Sequence, residues 1–167
     1  FVSSLGILVT SPFMLIIALC IYAYDRGPVL FKQERLTLGG KVFTLYKFRS
    51  MAVNKEQDTA WSTNQDNRKT MFGSIIRKLS IDELPQLVNV LKGEMSLVGP
   101  RPEIPHYVEL FKESVPLYMV KHQVRPGITG WAQVHGFRGD TSIDGRVQCD
   151  IWYIENWSFW LDIRILF

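Results

Sequence analysis

Two adjacent acidic residues, Asp82 and Glu83, are the side chains of this 167-residue chain best suited to chemistry on a phosphorus atom. They follow the basic pair Arg77 and Lys78, and cations near a carboxylate favour its ionised form. One ionised carboxylate can attack phosphorus while its neighbour coordinates Mg²⁺, or both can bind the metal. The spacing therefore indicates a metal-assisted phosphoryl transfer.

The same segment also has a purely structural interpretation. Ser80 and Glu83 have the spacing of a capping box, in which a serine caps a helix and a glutamate three residues later bonds back to it. Pro85 argues against this interpretation, because proline pushes Leu84 out of the helical region and is best tolerated at the first helical position. Both carboxylates would then lie just ahead of a helix N-terminus, whose amide dipoles keep them ionised.

Cations suited to binding phosphate occur in two further segments. Lys47 and Arg49 lie on one face of a predicted strand, about 6.7 Å apart along it. Arg101 stands between Pro100 and Pro102, which restrict the backbone and so fix the direction of its guanidinium. A rigid turn with an exposed arginine is the alternative for this second segment.

The first 24 residues differ from the rest of the chain in composition. None of the 19 Lys and Arg or the 16 Asp and Glu falls in 1–24, a segment that as a helix is about 36 Å long and could span a bilayer. Ser11 and Pro12 interrupt it, and proline removes a backbone donor for which neighbouring hydroxyls must compensate in lipid. A kinked spanning helix and a helix-break-helix that enters and leaves on one face are both open.

The remaining residues, 25–167, are predicted to form one domain, and the formal net charge of the chain is +3. Residues 29–38 and 41–51 have the pattern of two strands, joined at a Gly39-Gly40 turn in a hairpin. The polar segment 54–70 indicates a loop.

Helical spacing of apolar residues follows in 72–79, and a second short helix is predicted to end at Leu91, before Gly93. The turn-rich segment 124–131 contains glycines that could let a backbone approach phosphate. Near the end, Tyr153, Trp157 and Trp160 recur at helical spacing, a stripe that fits either a lipid headgroup layer or a packed core.

Four motifs taken together closely resemble the bacterial sugar transferases known as monotopic phosphoglycosyl transferases. They are YKFRSM (46–51), LSIDELPQ (79–86), MSLVGPRPE (95–103) and PGITGWAQV (126–134). The resemblance covers nearly the whole chain. It implies transfer of a sugar 1-phosphate from a UDP-sugar to undecaprenyl or another polyprenyl phosphate, with release of UMP. This reaction initiates capsule, exopolysaccharide or O-antigen synthesis.

The resemblance also implies roles for individual residues. Asp82 would be the nucleophile that forms a covalent phosphosugar intermediate, and Glu83 would help Asp82 to bind Mg²⁺. Four cations match family positions that hold phosphates or stabilise the acidic pair: Lys47, Arg49, Arg77 and Arg101. Arg138 and Asp150 match positions tied less specifically to nucleotide or phosphate binding. Ser11 and Pro12 look like the family's helix-breaking pair, which favours the re-entrant segment over the spanning helix.

The predicted architecture is therefore α+β and helix-rich, with a re-entrant membrane helix over 1–24, a β-hairpin and interfacial amphipathic helices. The domain 25–167 would lie at the cytoplasmic face of the bacterial inner membrane, where it contacts membrane lipids. Residues 136–141 look like the longer branch of the family, which often uses UDP-glucose or UDP-galactose, and the chain is expected to be a fragment. No nucleic-acid partner is expected, and a homo-oligomer is left open.

Two other functions compete with this prediction. A metal-dependent hydrolase of nucleotide sugars would use the same acidic pair, with water in place of the lipid. A non-catalytic membrane scaffold for polysaccharide assembly would use Asp82 and Glu83 only as helix caps.

Overall fold

The computed structural model describes residues 2–24, 26–51, 70–139 and 141–167, which form a helix-rich α+β fold with two small sheets. This confirms the predicted fold class. The helices in the described ranges are α1 (Val2–Tyr24), α2 (Met71–Lys78), α3 (Gln86–Leu91), α4 (Pro105–Phe111), α5 (Trp131–Val134), α6 (Ile143–Glu155) and α7 (Phe159–Leu166). The strands are β1 (Leu30–Leu36), β2 (Val42–Phe48), β3 (Ser96–Val98) and β4 (Gly127–Thr129). Apart from Thr70, the predicted loop 54–70 lies outside the described residues.

Helix α1 continues without interruption through Pro12. Proline has no N–H to donate to the carbonyl oxygen of Leu8, four residues earlier, and the Ser11 hydroxyl donates to that oxygen instead, at 3.0 Å. The predicted compensation by a neighbouring hydroxyl is confirmed. Two helices separated by a break are not seen, so the re-entrant topology stays a prediction.

Within the described residues, α1 is the one helix long and apolar enough to cross a membrane, with a mean hydropathy of 2.3. Most of its large apolar side chains are exposed: Val2, Leu5, Leu8, Val9, Phe13, Leu15, Ile16 and Leu19. A soluble protein rarely exposes so continuous an apolar surface, so this face of α1 is suited to lipid.

The opposite face of α1 packs against the rest of the fold. Ile17 and Ile21 are buried in a cluster with Phe48 of β2 and Ile76 of α2. Near the start of the helix, a Cβ added at Gly6 would lie 3.6 Å from Cδ1 of Leu87 in α3. The apolar helix is therefore fixed to the elements on either side of the acidic pair.

Strands β1 and β2 pair antiparallel, with Leu30 opposite Phe48 and Leu36 opposite Val42. The connection turns through Gly39 and Gly40, both at positive φ (69° and 72°), as predicted for a hairpin. Along β2 the side chains of Phe43 and Leu45 are buried against Met95. Because side chains alternate along a strand, Lys47 lies on this same inward face.

Strands β3 and β4 form a second, parallel pair, with Ser96 opposite Gly127 and Val98 opposite Thr129. A Cβ added at Gly99 would lie 2.6 Å from the carbonyl oxygen of Arg125, and one at Gly127 would collide with the backbone N of Gly99. Both glycines therefore allow the two backbones to approach each other closely, and the predicted approach of the 124–131 turn to a phosphate stays a prediction.

The aromatic stripe near the C-terminal end is divided between two helices. Tyr153, in α6, is buried, and its hydroxyl donates to Oδ1 of Asp162 in α7 at 2.7 Å. Trp157 and Trp160 lie after the end of α6 and are 61% and 76% exposed. The core interpretation is therefore correct for Tyr153, whereas the two tryptophans face outward.

Candidate active site

Asp82 and Glu83 lie in a short 3-10 helix, Ile81–Glu83, between α2 and α3. Ser80 precedes it in the left-handed region (φ 57°), a conformation that costs roughly 1–2 kcal/mol for a residue with a Cβ. This sharp turn lets the acidic pair face β2. Conformational strain of this kind concentrates at functional sites.

The capping-box interpretation of this segment is wrong. The Ser80 side chain makes no capping hydrogen bond, and its hydroxyl instead accepts from Nη1 of Arg138 at 2.9 Å. The expectation that Pro85 forces Leu84 out of the helical region is also wrong, because Leu84 has φ −54° and ψ −38°. The acidic pair nevertheless lies just ahead of α3, as predicted.

The Glu83 carboxylate is buried and surrounded by cations. Its Oε1 lies 2.8 Å from Nζ of Lys47, 3.2 Å from Nη2 of Arg101 and 3.6 Å from Nη2 of Arg138. Burial alone would raise the pKa of Glu83, but Arg101 and Lys47 outweigh it and hold the pKa at about 2. Glu83 is therefore ionised at any physiological pH, as its sequence position predicts.

The neighbouring Asp82 carboxylate has a different environment. It is 6% exposed, and its Oδ1 is buried and accepts no hydrogen bond from the described residues. Burial raises the pKa of Asp82, against the lowering effects of Lys47, Arg77 and Arg138. Arg77 favours the ionised form of Asp82 as predicted, but burial has the larger, opposite effect on its pKa. A desolvated carboxylate with an unoccupied lone pair is a better base and nucleophile than a solvated one.

Lys47 is held in place by its own strand and by a buried asparagine. Asn89, in α3, is fully buried; its Oδ1 accepts from the N–H of Tyr46 at 3.1 Å and its Nδ2 donates to the carbonyl oxygen of Thr44 at 2.7 Å. Burial and the nearby Arg101 lower the pKa of Lys47 to about 8, despite its ion pair with Glu83. Sequence reasoning missed Asn89, although an amide inside the apolar run 87–91 was a signal.

The other predicted cations differ in their relation to the acidic pair. Arg77, in the last turn of α2, lies close enough to lower the pKa of Asp82. Arg101 and Arg138 reach Glu83 directly. Arg49 is buried at the end of the hairpin and packs against Gly27, so its role at the acidic pair stays a prediction.

Asp150 lies in a second, buried group of charges. Its Oδ2 is 3.4 Å from Nζ of Lys121, which also lies 3.0 Å from Oε1 of Glu103; the same Oε1 is 3.3 Å from Nη1 of Arg146. All four residues are at most 6% exposed. Three of them were missed, although Glu103 directly follows the Arg101 turn and Lys121 directly follows the apolar run 117–120.

The acidic pair fits a hard divalent cation. Within the described ranges no three His, Cys, Asp or Glu side chains cluster as metal ligands, so the chain offers two carboxylates here. That number suits Mg²⁺, which is usually held by one or two carboxylates together with water and substrate phosphates. The unbonded Oδ1 of Asp82 is an oxygen ligand of the kind such an ion needs.

The amino-acid sequence of the chain is similar to those of known proteins. The sequence profile described as "Bacterial sugar transferase" matches residues 1–167. The chain is 51% identical, over 94% of its length, to the UDP-N-acetylgalactosamine-undecaprenyl-phosphate N-acetylgalactosaminephosphotransferase of Aeromonas hydrophila. It is 48% and 43% identical, over 93% and 99% of its length, to the UDP-glucose:undecaprenyl-phosphate glucose-1-phosphate transferases of Xanthomonas campestris pv. campestris and Escherichia coli K12. The matched region spans 38%, 33% and 37% of these relatives, respectively.

Proposed function

The chain belongs to the bacterial sugar transferase family, and on that premise we propose that it transfers a sugar 1-phosphate from a UDP-sugar to undecaprenyl phosphate. UMP is the other product. The relatives named above act on UDP-sugars and undecaprenyl phosphate by name, but they differ in the sugar, which is N-acetylgalactosamine in one and glucose in another. The sugar that this chain transfers is therefore to be identified by experiment. The product would initiate capsule, exopolysaccharide or O-antigen synthesis.

The observation that carries the proposal is the contrast between the two adjacent carboxylates. Glu83 is held by several cations, whereas the buried Oδ1 of Asp82 accepts no hydrogen bond from the described residues. A nucleophile needs an available lone pair; Oδ1 of Asp82 has one, whereas Oε1 of Glu83 is held by Lys47 and Arg101. Asp82 is therefore assigned as the nucleophile and Glu83 as the residue that organises the cations.

The proposed reaction has two steps. In the first, a carboxylate oxygen of Asp82 attacks the β-phosphorus of the UDP-sugar; an acyl phosphate bond forms, the bond to the bridging oxygen breaks, and UMP leaves with that oxygen. In the second, a phosphate oxygen of the polyprenyl phosphate attacks the same phosphorus and releases the carboxylate. The number of phosphoanhydride bonds is conserved, so no external energy source is needed.

The surrounding cations would neutralise the negative charge of the diphosphate during this reaction. Phosphoryl transfer depends mainly on positioning and on neutralising the charge of the transferred group. Lys47, Arg101 and Arg138 converge on Glu83 and are placed to contact a diphosphate bound beside it, while Arg77 lies next to Asp82. Arg49 is proposed as a further phosphate ligand. Mg²⁺, held by Asp82 and Glu83, would supply further neutralisation of the diphosphate.

Membrane attachment explains how a lipid and a soluble nucleotide reach one carboxylate. Helix α1 exposes an apolar face suited to lipid, and its other face packs beside Ile81 and Leu84, which flank the acidic pair in sequence. We propose that α1 is re-entrant, entering and leaving on the cytoplasmic side of the inner membrane. This topology keeps Asp82 at the membrane surface, within reach of both substrates.

The decisive experiment measures UMP release by the full-length protein with undecaprenyl phosphate, Mg²⁺ and a panel of UDP-glucose, UDP-galactose and UDP-N-acetylgalactosamine. We expect one sugar to be preferred and Asp82→Asn to abolish turnover. Mass spectrometry of wild-type protein quenched without the lipid acceptor should find a phosphosugar on Asp82. Turnover by the Asp82→Asn variant would reject the nucleophile assignment. UMP release that does not require the lipid would favour the hydrolase instead.

A further inference from the structure

The buried charge cluster of Glu103, Lys121, Arg146 and Asp150 is separate from the acidic pair. It nevertheless contacts the two chain segments that carry Arg101 and Arg138, two of the cations around Glu83. We propose that Arg146 is a positioning residue for Arg101 and Arg138, because its guanidinium joins the two segments that present them to Glu83. The inference rests on the proposed function and adds to it a group that acts without touching substrate.

The first connection leads to Arg101. Nη1 of Arg146 lies 3.3 Å from Oε1 of Glu103, two residues after Arg101. Pro100 and Pro102 have fixed φ values, so the chain between the anchored Glu103 and Arg101 has little freedom. Anchoring Glu103 therefore fixes the direction in which the Arg101 guanidinium leaves the backbone.

The backbone of this segment is held as well. The carbonyl oxygen of Glu103 accepts from the N–H of Leu36 at 3.0 Å, and that of Pro102 accepts from Nη1 of Arg35 at 3.0 Å. Both donors belong to β1. The Arg101 turn is thus fixed by the hairpin on one side and by the charge cluster on the other.

The second connection leads to Arg138. Nη2 of Arg146 donates to the carbonyl oxygen of Gly139 at 2.7 Å, directly after Arg138. Gly139 has φ 78°, in the left-handed region that glycine adopts without strain. One guanidinium therefore bonds to a residue next to Arg138 and to a residue close to Arg101.

The energetics of the cluster support a positioning role over a purely stabilising one. Buried ion pairs contribute little net stability, because the cost of desolvating the charges offsets their attraction. The cluster pairs two carboxylates with two cations. Burial alone would raise the pKa of Glu103, but Lys121 and Arg146 outweigh this effect and lower the pKa. In this arrangement Asp150 contacts Lys121 and reaches Glu103 only through it. Its ion pair with Lys121 accounts for the burial of its charge.

The test is a double-mutant cycle in the full-length protein, measuring kcat/KM for UMP release per folded enzyme. Arg146→Lys keeps the positive charge but loses the fork that reaches both acceptors. We expect it to lower kcat/KM by about tenfold. In an Arg138→Ala background we expect a smaller reduction, because part of what Arg146 positions is already gone. Arg164→Lys, an exposed arginine of α7, is the matched control and should leave kcat/KM unchanged.

An undiminished effect of Arg146→Lys in the Arg138→Ala background would overturn the inference, as would the absence of any effect in wild type. If Arg146→Lys does not fold, Glu103→Gln, which keeps the shape and removes the charge, enters the same cycle with the same expectations. Failure of the proposed function is distinct, since wild-type protein would then release no UMP or Asp82→Asn would stay active. The inference alone fails when wild type turns over and the two effects multiply.

Discussion

Lys47 and Glu83, 36 residues apart in sequence, form an ion pair of 2.8 Å in which both groups stay charged only between two pH limits. The pKa of Glu83 is about 2 and that of Lys47 about 8. The pair is therefore intact from strongly acidic conditions to mildly alkaline ones. Its alkaline limit lies close to physiological pH, which makes it accessible to experiment.

We predict that kcat/KM falls as the pH rises through about 8, because Lys47 then loses the proton that binds Glu83 and a substrate phosphate. Lys47→Arg should move this limb upward, since an arginine stays protonated. The measurement is kcat/KM between pH 6 and 10 for both proteins. A limb at the same pH in the variant would show that another group titrates there.

Neutralising the two adjacent carboxylates should change stability in opposite directions. The lowered pKa of Glu83 means that its ionised form stabilises the folded state, so Glu83→Gln should cost roughly 2–3 kcal/mol at pH 7. The raised pKa of Asp82 means that its ionised form is disfavoured by folding, so Asp82→Asn should leave stability unchanged or increase it. Thermal unfolding in detergent measures both, with Asp144→Asn on the exposed face of α6 as control.

The pH dependence of stability gives this prediction a second readout. The stabilisation from Glu83 is complete above its ordinary pKa of 4.5 and is lost as the pH falls toward about 2. Wild type should therefore lose stability across this interval by more than Glu83→Gln does. Equal slopes in the two proteins would contradict the assigned cause.

Removing the Asn89 side chain should impair both stability and activity. Asn89→Ala leaves the N–H of Tyr46 and the carbonyl oxygen of Thr44 without partners, at a cost of roughly 2–4 kcal/mol. Because both groups lie on β2 directly before Lys47, kcat/KM per folded enzyme should fall as well. Asn156→Ala, an exposed asparagine after α6, is the control. A variant of unchanged stability, or a destabilised variant of full activity, would contradict the prediction.

The course of the chain through the membrane can be tested directly. Cysteines placed before residue 1 and after Tyr24 should both be labelled by an impermeant reagent from the cytoplasmic side. The physical reason is that a re-entrant α1 returns to the side from which it entered. Labelling from opposite sides would establish a spanning helix, for which the continuous helix through Pro12 is well suited.

Local chemistry allowed the sequence to predict the elements that hold the site. The Gly39-Gly40 turn specified the hairpin, and alternation along the predicted strand assigned Lys47 and Arg49 to one face. The positions that sequence reasoning missed, such as Asn89 and Arg146, depend on partners 43 to 45 residues away in the chain. No local pattern encodes such distant contacts.

The effect of burial on the pKa of Asp82 could not be predicted from the sequence for a related reason. Neighbouring basic residues in sequence lower a carboxylate's pKa, but burial raises it, and burial depends on how α2, α3 and β2 pack. The capping-box interpretation failed because Ser80 adopts a left-handed conformation that its sequence does not demand. Both features belong to the turn that presents the acidic pair.

The packing of α1 has a practical consequence for anyone who wishes to handle the enzyme in water. Ile17 and Ile21 cover Phe48 and Ile76. Removing the whole helix to improve solubility would therefore expose the apolar cluster that packs beside the segment of the two carboxylates. Engineering should instead retain the second half of the helix and replace its outward side chains, such as Leu15 and Leu19, with polar ones.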